Sequence, residues 1–83
     1  MKINRMNPYN GNSKTAAFFD LETDEGFVIK GFTLVESSNG LFVSYPSEKG
    51  KDGKYYDKVL MSNDLKNQLN DVAVSYFNSL QNN

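Results

Sequence analysis

Four short glycine-bearing signals punctuate the first three quarters of this chain: Asn10-Gly11, Asp24-Glu25-Gly26, Asn39-Gly40 and Asp52-Gly53. Each joins a residue that tolerates a left-handed backbone to a glycine, the chemistry of tight reversals between antiparallel strands. The runs between them, residues 2–7, 15–23, 27–37, 41–45 and 55–61, are rich in β-branched and aromatic side chains. The spacing predicts an antiparallel meander of about five strands.

Parity along these runs assigns faces. Ala17, Phe19 and Leu21 fall on one side of the second run and Asp20 and Glu22 on the other, with Phe18 on the polar side. In the third run Phe27 and Ile29 share one parity while Phe32 and Leu34 have the opposite one. An extra residue at Gly31 restores a single apolar face, so a β-bulge is expected there. Spacing also assigns Phe27, Phe32, Phe42 and Phe77 to the core. Tyr9, after Pro8, fits either a sheet edge or a partner's groove.

Beyond Met61 the period changes to that of a helix. Leu65, Leu69, Val72, Tyr76 with Phe77, and Leu80 recur at spacings near three and a half, opposite Lys66, Asn67, Asn70, Asp71 and Asn78. Ser62 or Asn63 is a suitable N-cap, Asp64 suits the positive end of the helix dipole, and Gln81-Asn82-Asn83 are expected to fray. Strands first and one helix last give an α+β layer, a single domain over residues 1–83. One helix covers only part of such a sheet. The uncovered part, or a free edge, is where a second copy is expected, the more so because 83 residues bury a thin core.

Composition excludes much chemistry. There is no cysteine and no histidine, so zinc fingers, thiol redox centres, Cys-His pairs and Ser-His-Asp triads have no residues to build them. No nucleophile and base pair can be named, and the chain reads as non-enzymatic, without cofactor, metal or small-molecule substrate. Asp20, Glu22, Asp24 and Glu25 lack calcium-loop spacing. No apolar run is long enough to span a bilayer and the first residues lack a secretion signal, which makes a cytoplasmic location the expectation.

The segment from Pro46 to Lys58 concentrates charge, glycine and aromatics. Lys49, Lys51, Lys54 and Lys58 stand against Glu48, Asp52 and Asp57, interleaved with Tyr55 and Tyr56. Lysines next to tyrosines can set ammonium groups against phosphates and rings against unstacked bases. The plainer reading is a solvated hairpin loop whose tyrosines prop the strand against the helix. Gly50 and Gly53 read as turn residues, since no phosphate-loop pattern surrounds them.

These residues resemble the SpoVG family, named for a stage V sporulation and septation protein. Gly40-Leu41-Phe42-Val43-Ser44-Tyr45-Pro46-Ser47 is similar to the family's GLFVAMPS strand, and Asp52-Gly53-Lys54-Tyr55-Tyr56-Asp57 to its DGEFRD return strand. Upstream, Gly26-Phe27-Val28-Ile29 through Thr33-Leu34-Val35-Glu36 is similar to the family's EFVVHDIRVIE, with Lys30, Gly31 and Phe32 at its His-Asp-Ile. The resemblance implies a small antiparallel sheet with helical cover, a homodimer formed through strand contacts, and regulatory binding of DNA, with RNA as a second target class.

In the family, basic residues usually follow the Pro-Ser pair and an arginine usually stands at the place of Tyr56; these are credited with nucleic-acid contact. Lys49 carries over, whereas Glu48 and Tyr56 do not. Carboxylates repel phosphates, and lysine lacks the planar fork that reads guanine. The candidate nucleic-acid contacts are therefore Lys49, Lys51, Lys54, Lys58 and Arg5, positioning phosphates rather than reading bases. The alternative is a protein-interaction module on the same scaffold, with Tyr55, Tyr56 and Phe18 as interface anchors.

Overall fold

A computed structural model describes residues 1–11 and 13–81. The order is β1 (Lys2–Pro8), β2 (Thr15–Glu22), β3 (Val28–Ser37), β4 (Gly40–Ser44), β5 (Ser47–Lys49), β6 (Tyr55–Asp57) and α1 (Asn63–Gln81). The first four strands form an antiparallel sheet in sequence order, and β5 pairs with β6 in a separate two-stranded hairpin. The expected α+β meander with a C-terminal helix is present. Its fifth run is corrected: of residues 55–61 only Tyr55–Asp57 is a strand, and its partner is Ser47–Lys49, not the main sheet.

All four glycine-bearing signals sit at reversals between consecutive strands. The bulge expected at Gly31 is also present. Phe19 faces Phe32 across the β2–β3 ladder and Leu21 faces Ile29, so β3 holds one residue more than β2 between these pairs. Gly31 takes a φ of +97° there. Further register shifts fall between Ile3 and Arg5 in β1 and between Thr15 and Ala17 in β2. Bulges raise local twist and bend strands, and three in four strands curl the sheet. The helix consequently lies against both edge strands, β1 and β4.

The concave side holds the core: Ile3, Met6, Ala17, Phe19, Leu21, Phe32, Leu34 and Val43 from the sheet, with Leu69 and Ala73 from α1. Phe19 and Phe32 stack with ring centroids 5.3 Å apart. Burying a large apolar side chain of this kind stabilises by roughly 1.5–3 kcal/mol. Ser62 is the helix cap, its Oγ accepting the Leu65 N–H at 3.3 Å, and Asp64 lies in the first turn. Gln81 still belongs to the helix; Asn82 and Asn83 lie outside the described residues.

Two expectations about packing are corrected. Tyr76 and Leu65 are exposed, and Ala73, absent from the large-residue pattern, is wholly buried where the helix meets the sheet. Phe27 and Phe42 are not core either. Phe27 lies in the β2–β3 turn, and Phe42, paired with Val35, points to the side of β4 opposite Val43.

The chain is more extended than a sphere. Its radius of gyration is 13.1 Å with extents of 44 × 35 × 21 Å, against about 12 Å for a compact domain of this length. The β5–β6 hairpin is separate from the main sheet, and all of its strand residues are exposed. It stands off the body as an arm.

Candidate nucleic-acid interface

The root of the arm is fixed to the body through Tyr45 and Pro46. The Tyr45 ring meets Phe32 edge-on at 5.7 Å, and the Lys66 ammonium stands over its face at 5.7 Å from the centroid. Loss of solvent there pushes the Tyr45 phenol above its usual range. Pro46 lies beside Gly31, 3.7 Å from where a Cβ on that residue would stand, and the Lys58 N–H donates to the Pro46 carbonyl at 2.9 Å to close the base.

Beyond the root, register determines which side chains meet. Ser47 faces Asp57, Glu48 faces Tyr56, and Lys49 faces Tyr55. Directly opposed residues share a face, so Glu48 and Tyr56 occupy one side of the arm, while Ser47, Lys49, Tyr55 and Asp57 occupy the other. Residues 50–54 make the connection. The Gly50 N–H donates to the Lys54 carbonyl at 2.7 Å and the Gly53 N–H to the Gly50 carbonyl at 3.1 Å.

The two tyrosines have different situations. The Tyr56 hydroxyl donates to Asp52 Oδ2 at 2.5 Å, and the Lys54 N–H donates to Asp52 Oδ1 at 3.0 Å. The Tyr56 ring lies so close over Gly50 that a Cβ there would come within 2.7 Å of Cε2. The hydroxyl, with help from the Lys54 amide, lowers the Asp52 carboxyl below its ordinary value, and the carboxylate raises the Tyr56 phenol. Tyr56 is thus bound to its own turn. Tyr55 is 71% exposed and, among the described residues, has no ring partner or hydrogen bond. Neither tyrosine props the arm against the helix.

The candidate lysines are brought together in part. Lys49, Lys51, Lys54 and Lys58 all belong to the arm and are exposed. The ion pairs among the described residues join the Met1 amine to Asp24 and Lys2 to Glu22, and involve none of the four. Their charge is open to an anion. Arg5 is elsewhere, on β1 opposite Asp20 on the convex side of the sheet, where it borders a shallow depression with Asn7, Phe18 and Gly31. Arg5 adjoins the bulge at the arm's root rather than its tip.

Phe18 also lies on the convex side, 47% exposed, with Tyr9 edge-on to it at 5.5 Å and 79°. Phe42 and Val35 occupy the same face. Tyr9 thereby joins the sheet surface, and Phe18 is separate from the arm tyrosines in the fold. Sequence reasoning missed β5 and the Tyr56 clasp: Ser47-Glu48-Lys49 has no apolar alternation to betray a strand. The turn chemistry of Gly50 and Asp52-Gly53 ahead of Tyr55-Tyr56 is the one signal of a hairpin there. Among the described residues no cluster of three acidic side chains is placed to hold a metal ion, and no helix is long and apolar enough to cross a membrane.

Comparison with known proteins finds relatives of this sequence. A 47-residue stretch is 43% identical to a protein of Archaeoglobus fulgidus that carries the name septation protein SpoVG, covering 57% of this chain and 55% of that one. A 61-residue stretch is 43% identical to one of the same name from Symbiobacterium thermophilum, covering 71% of this chain and 44% of the relative. The matches thus span about half the length of these two relatives. A namesake in Staphylococcus aureus is 25% identical over 77 residues, 92% of this chain and 77% of its own. The family model described as SpoVG matches residues 1–79, and the chain belongs to the SpoVG family.

Proposed function

We propose that this chain is a non-enzymatic regulatory protein that binds nucleic acid as a homodimer and grips the phosphate backbone with the β5–β6 arm. The observation that carries the reading is the arm itself: Lys49, Lys51 and Lys54 are held out from the body, Lys58 stands at the arm's base, and all four are free of ion pairs among the described residues. A projecting basic hairpin reaches a charged groove or strand without deforming the core. Arg5, on the convex face, is an accessory contact at the arm's root. The dimer is supported by Phe18, Phe42 and Val35 on the sheet face away from the helix, apolar surface that a second copy would cover.

Fluorescence anisotropy with duplex DNA, single-stranded DNA and RNA at several salt concentrations tests the reading. Binding should weaken steeply with salt, and Lys49→Gln with Lys54→Gln should reduce the logarithmic salt slope on duplex by about 1.8 per chain, two phosphate contacts at roughly 0.9 each. Light scattering at micromolar concentration should give twice the 9.4 kDa chain mass. Absence of binding at low salt, or binding indifferent to salt, overturns the phosphate mechanism. A monomer mass overturns the dimer.

A further inference from the structure

The arm carries an aromatic ring with nothing to do in its own fold. We infer that Tyr55 is a stacking platform for an unpaired base, so that the arm takes single-stranded nucleic acid with the base on the Tyr55 ring and the adjoining phosphate on Lys49. The inference rests on the nucleic-acid reading above and narrows it.

Three observations lead there. Tyr55 is 71% exposed, which for a single aromatic is unremarkable by itself. Its cross-strand partner is Lys49, and directly opposed side chains lie roughly 4.5–5.5 Å apart at Cβ, within the reach of one nucleotide's base and phosphate. Finally, the neighbouring Tyr56 has its ring over Gly50 and its hydroxyl on Asp52, whereas Tyr55 has no such engagement among the described residues. The same arm face is polarised along its length. Asp57 and Ser47 lie at the root, Lys49 and Tyr55 toward the tip, so an anion is repelled from one end and held at the other. Bases in an intact duplex have both faces occupied, and a ring on this arm can stack only where a strand is open.

The test compares the full chain with Tyr55→Leu and Tyr55→Phe on labelled oligothymidylate, oligouridylate, an abasic strand of equal length and a duplex. Tyr55→Leu should weaken binding to the base-bearing single strands about 5- to 150-fold, the range of one lost base stack. Tyr55→Phe should stay close to the parent, and Tyr55→Leu should leave the abasic strand and the duplex unaffected. If Tyr55→Leu weakens all four ligands alike, or none, while salt-dependent binding persists, stacking is refuted and the phosphate reading stands; indifference on all four would leave Tyr55 to a protein contact. If the parent binds none of them at low salt, both fail. Because Tyr55 is exposed, unchanged circular dichroism should accompany each variant.

Discussion

Replacing Gly31 by alanine sets two effects against each other at the bulge that joins sheet and arm. An added Cβ would lie 3.7 Å from Pro46 Cβ and Cγ, an ordinary contact without a clash. Burying that methyl group gains at most about 0.8 kcal/mol. Against this, Gly31 has φ of +97°, and holding an L-residue in left-handed backbone costs roughly 1–2 kcal/mol. The backbone term wins, and Gly31→Ala should destabilise the chain by about 1 kcal/mol. For a domain of this size that corresponds to a fall in Tm of roughly 4–8 °C. Gly31→Asn, from a residue type enriched at positive φ, should lose less than alanine. Thermal unfolding followed by circular dichroism at one fixed protein concentration reads both, the concentration being held because dimerisation shifts Tm. An alanine variant as stable as the parent, with asparagine no better than alanine, would refute the assignment of the bulge to Gly31 and with it the shared apolar face of Ile29 and Phe32.

Two further outcomes follow from the core and the arm. Phe32 is fully buried between Phe19 and Tyr45, so Phe32→Ala should cost about 3–5 kcal/mol; urea unfolding showing a loss under about 1 kcal/mol would displace it from the centre of the core. The Tyr56 phenol is raised above 10.0 by the Asp52 carboxylate, so the bond favours the folded arm below that value and is lost as pH rises through the raised pKa. Asp52 is lowered from 3.8 chiefly by the Tyr56 hydroxyl, so its contribution is present above that value and is lost as pH falls through the lowered one. NMR titration should find Tyr56 ionising above the normal tyrosine range, and Asp52→Ala should return it to about 10. An unchanged Tyr56 titration in that variant would show that the clasp is absent in solution.

Much of the body was legible because burial writes itself into periodicity. Alternation placed Ala17, Phe19 and Leu21 inside, and the parity break located the bulge at Gly31. Alternation distinguishes the two faces of a strand but does not say which one the helix covers, and Phe42 fell on the wrong side for that reason. Ala73 was invisible because a small side chain adds little to a hydrophobic pattern; what selects it is the close approach of α1 to the sheet. In the arm, the lysines were evident, but their placement was not. A strand with no buried face has no period to read, and the Tyr56–Asp52 bond depends on how a five-residue connection closes.

The register of the arm also sorts its side chains into two unlike faces. Glu48 and Tyr56 are cross-strand partners on one face, and Lys49 lies on the other with Tyr55. One face thus pairs a carboxylate with a ring clasped by Asp52 and Gly50, while the other pairs a cation with an unengaged ring. Neither face contributes to the core, since every strand residue of the arm is exposed and, among the described residues, the buried side chains belong to the sheet and helix. The arm's surface can therefore change without refolding the domain. On the reading proposed above, the face of Lys49 and Tyr55 is the one that meets nucleic acid, so substitutions there should alter binding while leaving the unfolding midpoint unchanged.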